Sequence, residues 1–510
     1  MERKYLYFFI LVIIMIGACV IVSPQPAEAQ ETNPKWSKQQ RIYDHYFDSY
    51  APILIADQNK TVHAFHYTDL IDDSSTDEGA ISAIYYRQWR ADTGWSLPVD
   101  IILPSADDLE LILHGVTLDN KGYFHLIYSS GSMWNSNIYY SSAYARDADR
   151  ASAWSKPIII GEKTGQVSRA ALAGDGNNNL VVVYSAQIEG PGLYSIYSSD
   201  SGNSWSDPEI VQVEYRQGFT PLFISMIDDG QGNTHAVWSV YNSDIIRAEE
   251  VYYARMNNHD KSWSDPVLLA KRDDQDYEAD YPSIVSYNNE LIVMYMDGSP
   301  PTRWMRRSAD GGQTWTDPVR PFQLIGENGA IAFVIDSNNV LHALMGNRTP
   351  ENIHGMWHSV WQGDRWGPIE AIVSGPQTPY FDPTEPRAII SQGNVLLAVW
   401  SKDTTEGPRN GAWFSYTTLN SPETPIVPIP DQDEVKQEPS LTPSTEPDTI
   451  ASDPSVEHLQ IDNPQQEVST TLPQPDTQVN PMLSIFYSLG LVFVLVVVVF
   501  VLKNFLASLN

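Results

Sequence analysis

The chain has 510 residues, 63 acidic against 31 basic, and a formal net charge of -32, which excludes the polyanion partners that reward Lys and Arg, nucleic acid above all. One cysteine excludes a disulfide framework, an iron–sulfur cluster and a Cys-rich zinc site. An aromatic fraction of 11% supplies apolar burial for a large fold.

Arg3 and Lys4 precede an apolar stretch from Tyr5 to Val22, and Ala27-Glu28-Ala29 follows as a small-x-small cleavage step. Residues 1–29 therefore read as a signal peptide. A rival cut at Ile16-Gly17-Ala18-Cys19 resembles a bacterial lipobox and would make Cys19 a lipidated N-terminus.

Residues 30–420 carry an internal repeat. Its first marker is a Trp followed by a small residue and often a Pro: Trp36-Ser37, Trp95-Ser96, Trp154-Ser155, Trp205-Ser206, Trp263-Ser264, Trp315-Thr316 and Trp366-Gly367. The steps recur every 50 to 60 residues, roughly. Between them lies an Asp/Asn/Gly turn before an apolar strand, as in Asp57-Gln58-Asn59-Lys60 before Val62-His63-Ala64-Phe65. Short runs rich in Val, Ile, Tyr and Trp, bounded by turn formers, are β signals. A sheet of about four strands leaves both faces bare, so the units must stack on one another, and radial stacking gives a β-propeller. The first Trp-Ser step precedes the first turn, and the last unit lacks one. If the N-terminal strand completes the last sheet, the count is seven four-stranded blades, with six or eight as alternatives for irregular units.

Residues 421–481 are rich in proline and acid, contain one lysine and lack aromatic residues. They read as a disordered stalk. Residues 482–503 hold the uncharged run Leu483 to Leu502, long enough for a transmembrane helix, with Lys503 behind it. Residues 504–510 form a short cytoplasmic tail. The expected protein is single-pass, with the bulk of the chain outside the cell.

Two units carry a longer pattern before the Trp step, Ser198-Ser199-Asp200-Ser201-Gly202-Asn203-Ser204-Trp205 and Ser308-Ala309-Asp310-Gly311-Gly312-Gln313-Thr314-Trp315. Both resemble the Asp box (Ser-x-Asp-x-Gly-x-Thr-Trp) of the BNR-repeat, sialidase-like β-propeller superfamily. The box is a hairpin device, so Asp200 and Asp310 are expected to be structural.

Sialidase chemistry asks for arginines that grip a sugar carboxylate, a Tyr nucleophile assisted by a Glu, and an acid Asp. Where the resemblance implies the first arginine, in Tyr50-Ala51-Pro52, this chain has Tyr50. The loop around Asp73, with Asp72 and Asp77 close by, resembles the acid-bearing loop. Arg169 and Arg387 enter inner strands at equivalent places, Glu385 accompanies Arg387, and Tyr281 and Tyr380 are placed as nucleophiles by location alone. His63, His125, His235 and His342 fill one repeat slot in four units, which favours a strand role over a metal cluster. No metal and no cofactor is expected. Trp134, Trp304 and Trp361 are loop aromatics suited to stacking on sugars, with a core role open for Trp361. The expectation is a membrane-anchored propeller that binds an extracellular glycan or protein without catalysis; the alternative is a sialidase-like exo-glycoside hydrolase with an altered site.

Overall fold

The structure is a computed structural model that describes residues 31–32, 35–42, 51–67, 83–104, 110–132, 135–160, 169–272, 278–378, 381–402 and 411–430. The expected signal peptide, the transmembrane run, the tail and the stalk beyond residue 430 lie outside the described residues. Among those that are described, no helix is long and apolar enough to cross a membrane.

The fold is all-β and propeller-like. Five sheets have four or five strands each, in up-and-down order. The first runs from Ile53–Ala56 to Val99–Ile102, the second from Glu110–Leu118 to Ile158–Ile160, and the third from Ala170–Gly174 to Glu209–Val213. The fourth runs from Phe219–Asp228 to Val267–Lys271. The last comprises Pro383–Ser391, Val395–Lys402 and Ala412–Thr418. Between the fourth and the last lies an eight-stranded sheet that starts at Asp280–Tyr287 and includes Ile325–Ile335. Its two halves meet at the single register pair Thr302↔Ile325. The innermost strands pack in a circle: 53–56 on 110–118, then 170–174, 219–228, 280–287, 325–335 and 383–391, which returns to 53–56.

The core sits between sheets, because each sheet covers its neighbour. Ile127, Ile138 and Tyr140 of the second sheet pack with Leu180, Val182 and Tyr184 of the third. Second strands such as Leu180–Gln187 are therefore buried along nearly their whole length instead of alternating. Closure follows the same rule. Leu54, Val62 and Trp89 of the first sheet pack with Leu397, Val399 and Phe414 of the last. The N-terminal strand Gln40–Arg41 pairs with Ala412–Thr418, as Gln40↔Phe414 and Arg41↔Trp413, so the start of the chain completes the last sheet and covers its open edge.

Residues 421–430, the first part of the segment read as stalk, run extended across several sheets. The Thr424 N–H donates to the Gln392 carbonyl (2.8 Å) and the Val427 N–H to the Gln58 carbonyl (3.0 Å). Arg146 donates to the Ile429 carbonyl, and the Ile429 side chain joins the core of the first two sheets.

The recurrent histidines prove to be links in a buried hydrogen-bond chain. Asp119 Oδ1 accepts the N–H groups of Lys121 (3.0 Å) and Tyr123 (2.8 Å), which fixes the turn. Its Oδ2 meets His125 Nε2 (3.3 Å), and His125 Nδ1 meets the Tyr140 hydroxyl (2.7 Å). Asp57, His63 and Tyr86 repeat this, as do Asp229, His235 and Tyr253. In the eight-stranded sheet His358 replaces the phenol, 2.9 Å from His342. Among the described residues no group of three His, Cys, Asp or Glu is arranged to hold a metal.

The two Asp boxes dock on these phenols. Tyr140 donates to the Ser201 carbonyl (3.2 Å) and Tyr253 to the Gly311 carbonyl (3.1 Å), each in the box of the next unit. Trp205 and Trp315 pack edge-on against the same two rings, at 5.3 Å and 4.9 Å. Inside the second box Asp310 accepts from the Ser308 hydroxyl (2.8 Å), the Thr314 N–H (2.9 Å) and the Thr314 hydroxyl (2.6 Å). Hydrogen bonds from Thr314 and Ser308 hold the Asp310 carboxyl down at about 2. Asp200 makes the same bonds in the first box, and both aspartates are structural.

Gly312 has φ +87, and a Cβ there would lie 1.9 Å from the Tyr253 hydroxyl. Gly312→Ala is expected to destabilise the protein by about 1–3 kcal/mol through overpacking and backbone strain. Urea unfolding checks this; a midpoint equal to that of the parent protein would contradict the docking geometry.

Candidate functional site

In an up-and-down sheet the Asp-box hairpins and the Asp/Asn turns share one face. The starts of the innermost strands therefore lie on the opposite face, around the axis. Here the ladders are interrupted in a repeated way. Register shifts occur between Leu222 and Ser225, between Asp280 and Ser283, and between Thr384 and Arg387. At each bulge a residue with a side chain adopts positive φ: Phe223 (48°), Tyr281 (49°) and Glu385 (49°). On the intervening innermost strand Gly329 (81°) takes this conformation. A bulge re-aims a side chain, and left-handed backbone in a non-glycine residue stores strain of about 1–3 kcal/mol. The three residues share one neighbouring feature, a proline within two positions (Pro221, Pro282, Pro386).

These bulges meet. The Phe223 and Tyr281 rings lie 4.7 Å apart at 50°, and both residues are half-buried. A Cβ on Gly329 would lie 3.1 Å from the Glu385 backbone, a tight approach at a positive φ that favours glycine. Beneath them Arg303 is wholly buried. Its Nη2 donates to the Gly329 carbonyl (2.5 Å) and its Nε to Asn347 Oδ1 (3.1 Å). Asn347 Nδ2 in turn donates to the Gly326 carbonyl (2.8 Å). Burial lowers the Arg303 guanidinium to about 9, with the Tyr281 and Glu278 charges opposing that fall.

A second arginine on this face is also committed. Arg216 donates from Nε to Glu214 Oε1 (2.8 Å), from Nη1 to Glu250 Oε1 (3.1 Å), and from Nη2 to Glu250 Oε2 (2.7 Å). Lys271 Nζ reaches Glu250 Oε1 at 3.0 Å and the Tyr252 hydroxyl reaches Glu250 Oε2 at 3.0 Å. Burial pushes the Glu250 carboxyl up, but hydrogen bonds from Arg216 and Lys271 outweigh it and hold the group below the usual carboxylate value.

The residues singled out in the sequence are partly brought together. Glu385 sits against Gly329 and so above Arg303. Arg387 is exposed on the same strand, opposite Val399. Arg169 is exposed at the start of 170–174, and its charge adds to burial in holding His114 at about 3, hence neutral. His114 Nε2 lies 2.8 Å from the Ser129 hydroxyl. Tyr281 is at the centre of the bulge cluster. Asp73, Asp72, Asp77, Tyr50, Tyr380 and Trp134 lie outside the described residues. Of the two roles open for Trp361 the structure takes the core one: it is buried, packed against Trp366 at 5.3 Å under the Arg307 guanidinium. Trp304 donates to the Asp297 carbonyl (3.2 Å) and carries Arg320 over its ring.

A family model described as a BNR repeat-like domain matches residues 22–294. No curated protein matches the chain. Among solved structures, a Dyadobacter fermentans protein of unknown function is similar at 14% identity over 76% of this chain and 100% of that one, with a TM-score of 0.47. A Hadza microbial sialidase is similar at 12% identity, covering 75% of this chain and 95% of its own, with a TM-score of 0.42. An ulvan lyase of polysaccharide lyase family PL25 is similar at 11% identity, covering 76% and 97%, with a TM-score of 0.49.

Arg216→Met would leave two buried carboxylates short of their main donor. Glu250 in the parent protein has a lowered pKa, so its contribution is present above about 4.5 and is lost as pH falls. The variant loses that contribution, so its urea midpoint is expected to trail the parent most at neutral pH, with a gap that narrows toward pH 4, roughly. A gap that widens as pH falls would contradict the assignment.

Proposed function

The chain belongs to the BNR repeat-like domain family, and on that premise we propose that it is a noncatalytic glycan-binding propeller that takes its ligand at the axial mouth. We count seven blades, reading the eight-stranded sheet as two that touch at Thr302↔Ile325. The closed circle of innermost strands supports this count. In this reading residues 1–29 direct export, the segment after residue 430 is a stalk, and Leu483 to Leu502 anchors the protein with the propeller outside.

One observation carries the proposal: the two arginines built into the structure of this face, Arg216 and Arg303, are already engaged. Both forks of Arg216 are taken by Glu214 and Glu250, and Arg303 is wholly buried with its Nε and Nη2 committed to Asn347 and Gly329. A guanidinium that holds two buried carboxylates has no fork left for a sugar acid. Tyr50 replaces the first arginine that the sialidase resemblance implies. What the mouth offers instead is a pair of rings, Phe223 and Tyr281, set by strained bulges, with Glu385 and the exposed Arg387 on the innermost strand of the last sheet. Rings present an apolar face to a sugar and a rim of polar groups fixes its orientation.

A panel of immobilised neutral and acidic oligosaccharides tests this. Binding without turnover is expected, and Phe223→Ala should weaken it about tenfold, the effect of losing roughly 1.4 kcal/mol of ring contact. Turnover of a fluorogenic sialoside that is lost in Arg387→Ala and Asp73→Asn would establish the hydrolase instead.

A further inference from the structure

We propose that Lys261 and Asn179 form an intramolecular isopeptide bond, with Asp175 as the proton-transfer group, joining the third sheet to the fourth. The three side chains stand in the order that this chemistry needs. Lys261 Nζ donates to Asn179 Oδ1 at 3.1 Å, across 82 residues of sequence. Asn179 Nδ2 donates to Asp175 Oδ2 at 2.6 Å. That second bond fixes the amide: its nitrogen faces the carboxylate, so its carbonyl faces the amine.

Each group is placed by a local cause. Lys261 has φ 61° in the hairpin of the fourth sheet, and its ammonium lies 5.3 Å from the centre of the Tyr197 ring. Burial lowers its pKa below the ordinary lysine value, against the opposing charge of Asp175, which enlarges the neutral fraction that can attack. The Asp175 carboxylate lacks a histidine partner because of a substitution in the repeat. In four units the residue six places after the turn aspartate is a histidine, which engages the second carboxylate oxygen. Here that place holds Val181, so Oδ2 meets Asn179 with no histidine beside it, whereas Asp229 Oδ2 takes both Asn233 (2.8 Å) and His235 (3.2 Å).

The step balances without an oxidant or co-reactant. The neutral Nζ adds to Asn179 Cγ, and one Nζ proton passes by way of the Asp175 carboxylate to Nδ2. The Cγ–Nδ2 bond then breaks, ammonia leaves, and a secondary amide joins Cγ to Nζ. A cleft of about 460 Å³ lined by Asp175, Asn179, Asp228 and Asn257 opens beside the amide and gives the ammonia its exit. A nearby pair serves as a contrast. Lys121 Nζ also donates to an amide oxygen, that of Asn178 (3.1 Å), but this pair is exposed, and no carboxylate holds the Asn178 nitrogen among the described residues.

Trypsin digestion of the full-length protein, followed by mass spectrometry, decides the matter. A bond blocks cleavage after Lys261 and joins the peptide 170–216 to the peptide 256–271 at their summed mass less one ammonia. That linked pair is the expected main species. Lys261→Arg and Asp175→Asn should each abolish it while circular dichroism stays that of the parent. Full recovery of the separate peptides 170–216 and 256–261 from the parent protein would overturn the proposal, as would a linked pair that survives in Lys261→Arg.

Discussion

A turn aspartate, a strand histidine and a phenol on the next strand form the hydrogen-bond chain on which this architecture depends. Each member belongs to a different layer. The aspartate shapes the turn, the histidine fixes the second strand against the third, and in two units the phenol reaches a carbonyl of the following unit's Asp box. The groups are buried, so an unmatched member would carry a desolvation penalty of about 1–3 kcal/mol. The chain thus sets the spacing between neighbouring sheets as well as the shape of each. Apolar packing between sheets supplies most of the stability; the polar chain supplies the registration.

The opposite face follows another rule. There the innermost strands depart from regular pairing at Phe223, Tyr281 and Glu385, and the departures converge. Strain of this kind persists only where the surroundings enforce it, and a wholly buried arginine braced by Asn347 does so here. One face of the protein is built for uniformity and the other for local exception. The ligand recognition proposed above would belong to the second, since it needs side chains aimed where a regular ladder would not aim them.

The division explains what the sequence made legible. The repeat, the strands and the closure by the N-terminal strand were readable because Trp-Ser steps, Asp/Asn turns and Asp boxes are local, and local chemistry leaves local signatures. The slot shared by His63, His125, His235 and His342 was readable as structural for the same reason. The bulge cluster was not. Phe223, Tyr281 and Glu385 stand far apart in sequence, and a neighbouring proline was the one trace of their common geometry. Arg216 and Arg303 escaped notice because their engagement with Glu250 and Gly329 exists only after folding. Trp361 was ambiguous because an aromatic residue after a strand has the same local context in a loop or in a core.

The extended segment 421–430 has a mechanical meaning. It is tied to the Gln392 and Gln58 carbonyls and to Arg146, and so it lies across the place where the first and last sheets meet. A pull on the chain beyond it is shared among contacts loaded lengthwise, which must fail together, and not delivered to the short N-terminal strand, whose few pairs would peel apart in turn. Under the proposed anchor the segment would act as strain relief for the closure: tension would reach the ring through a belt before it could reach the clasp.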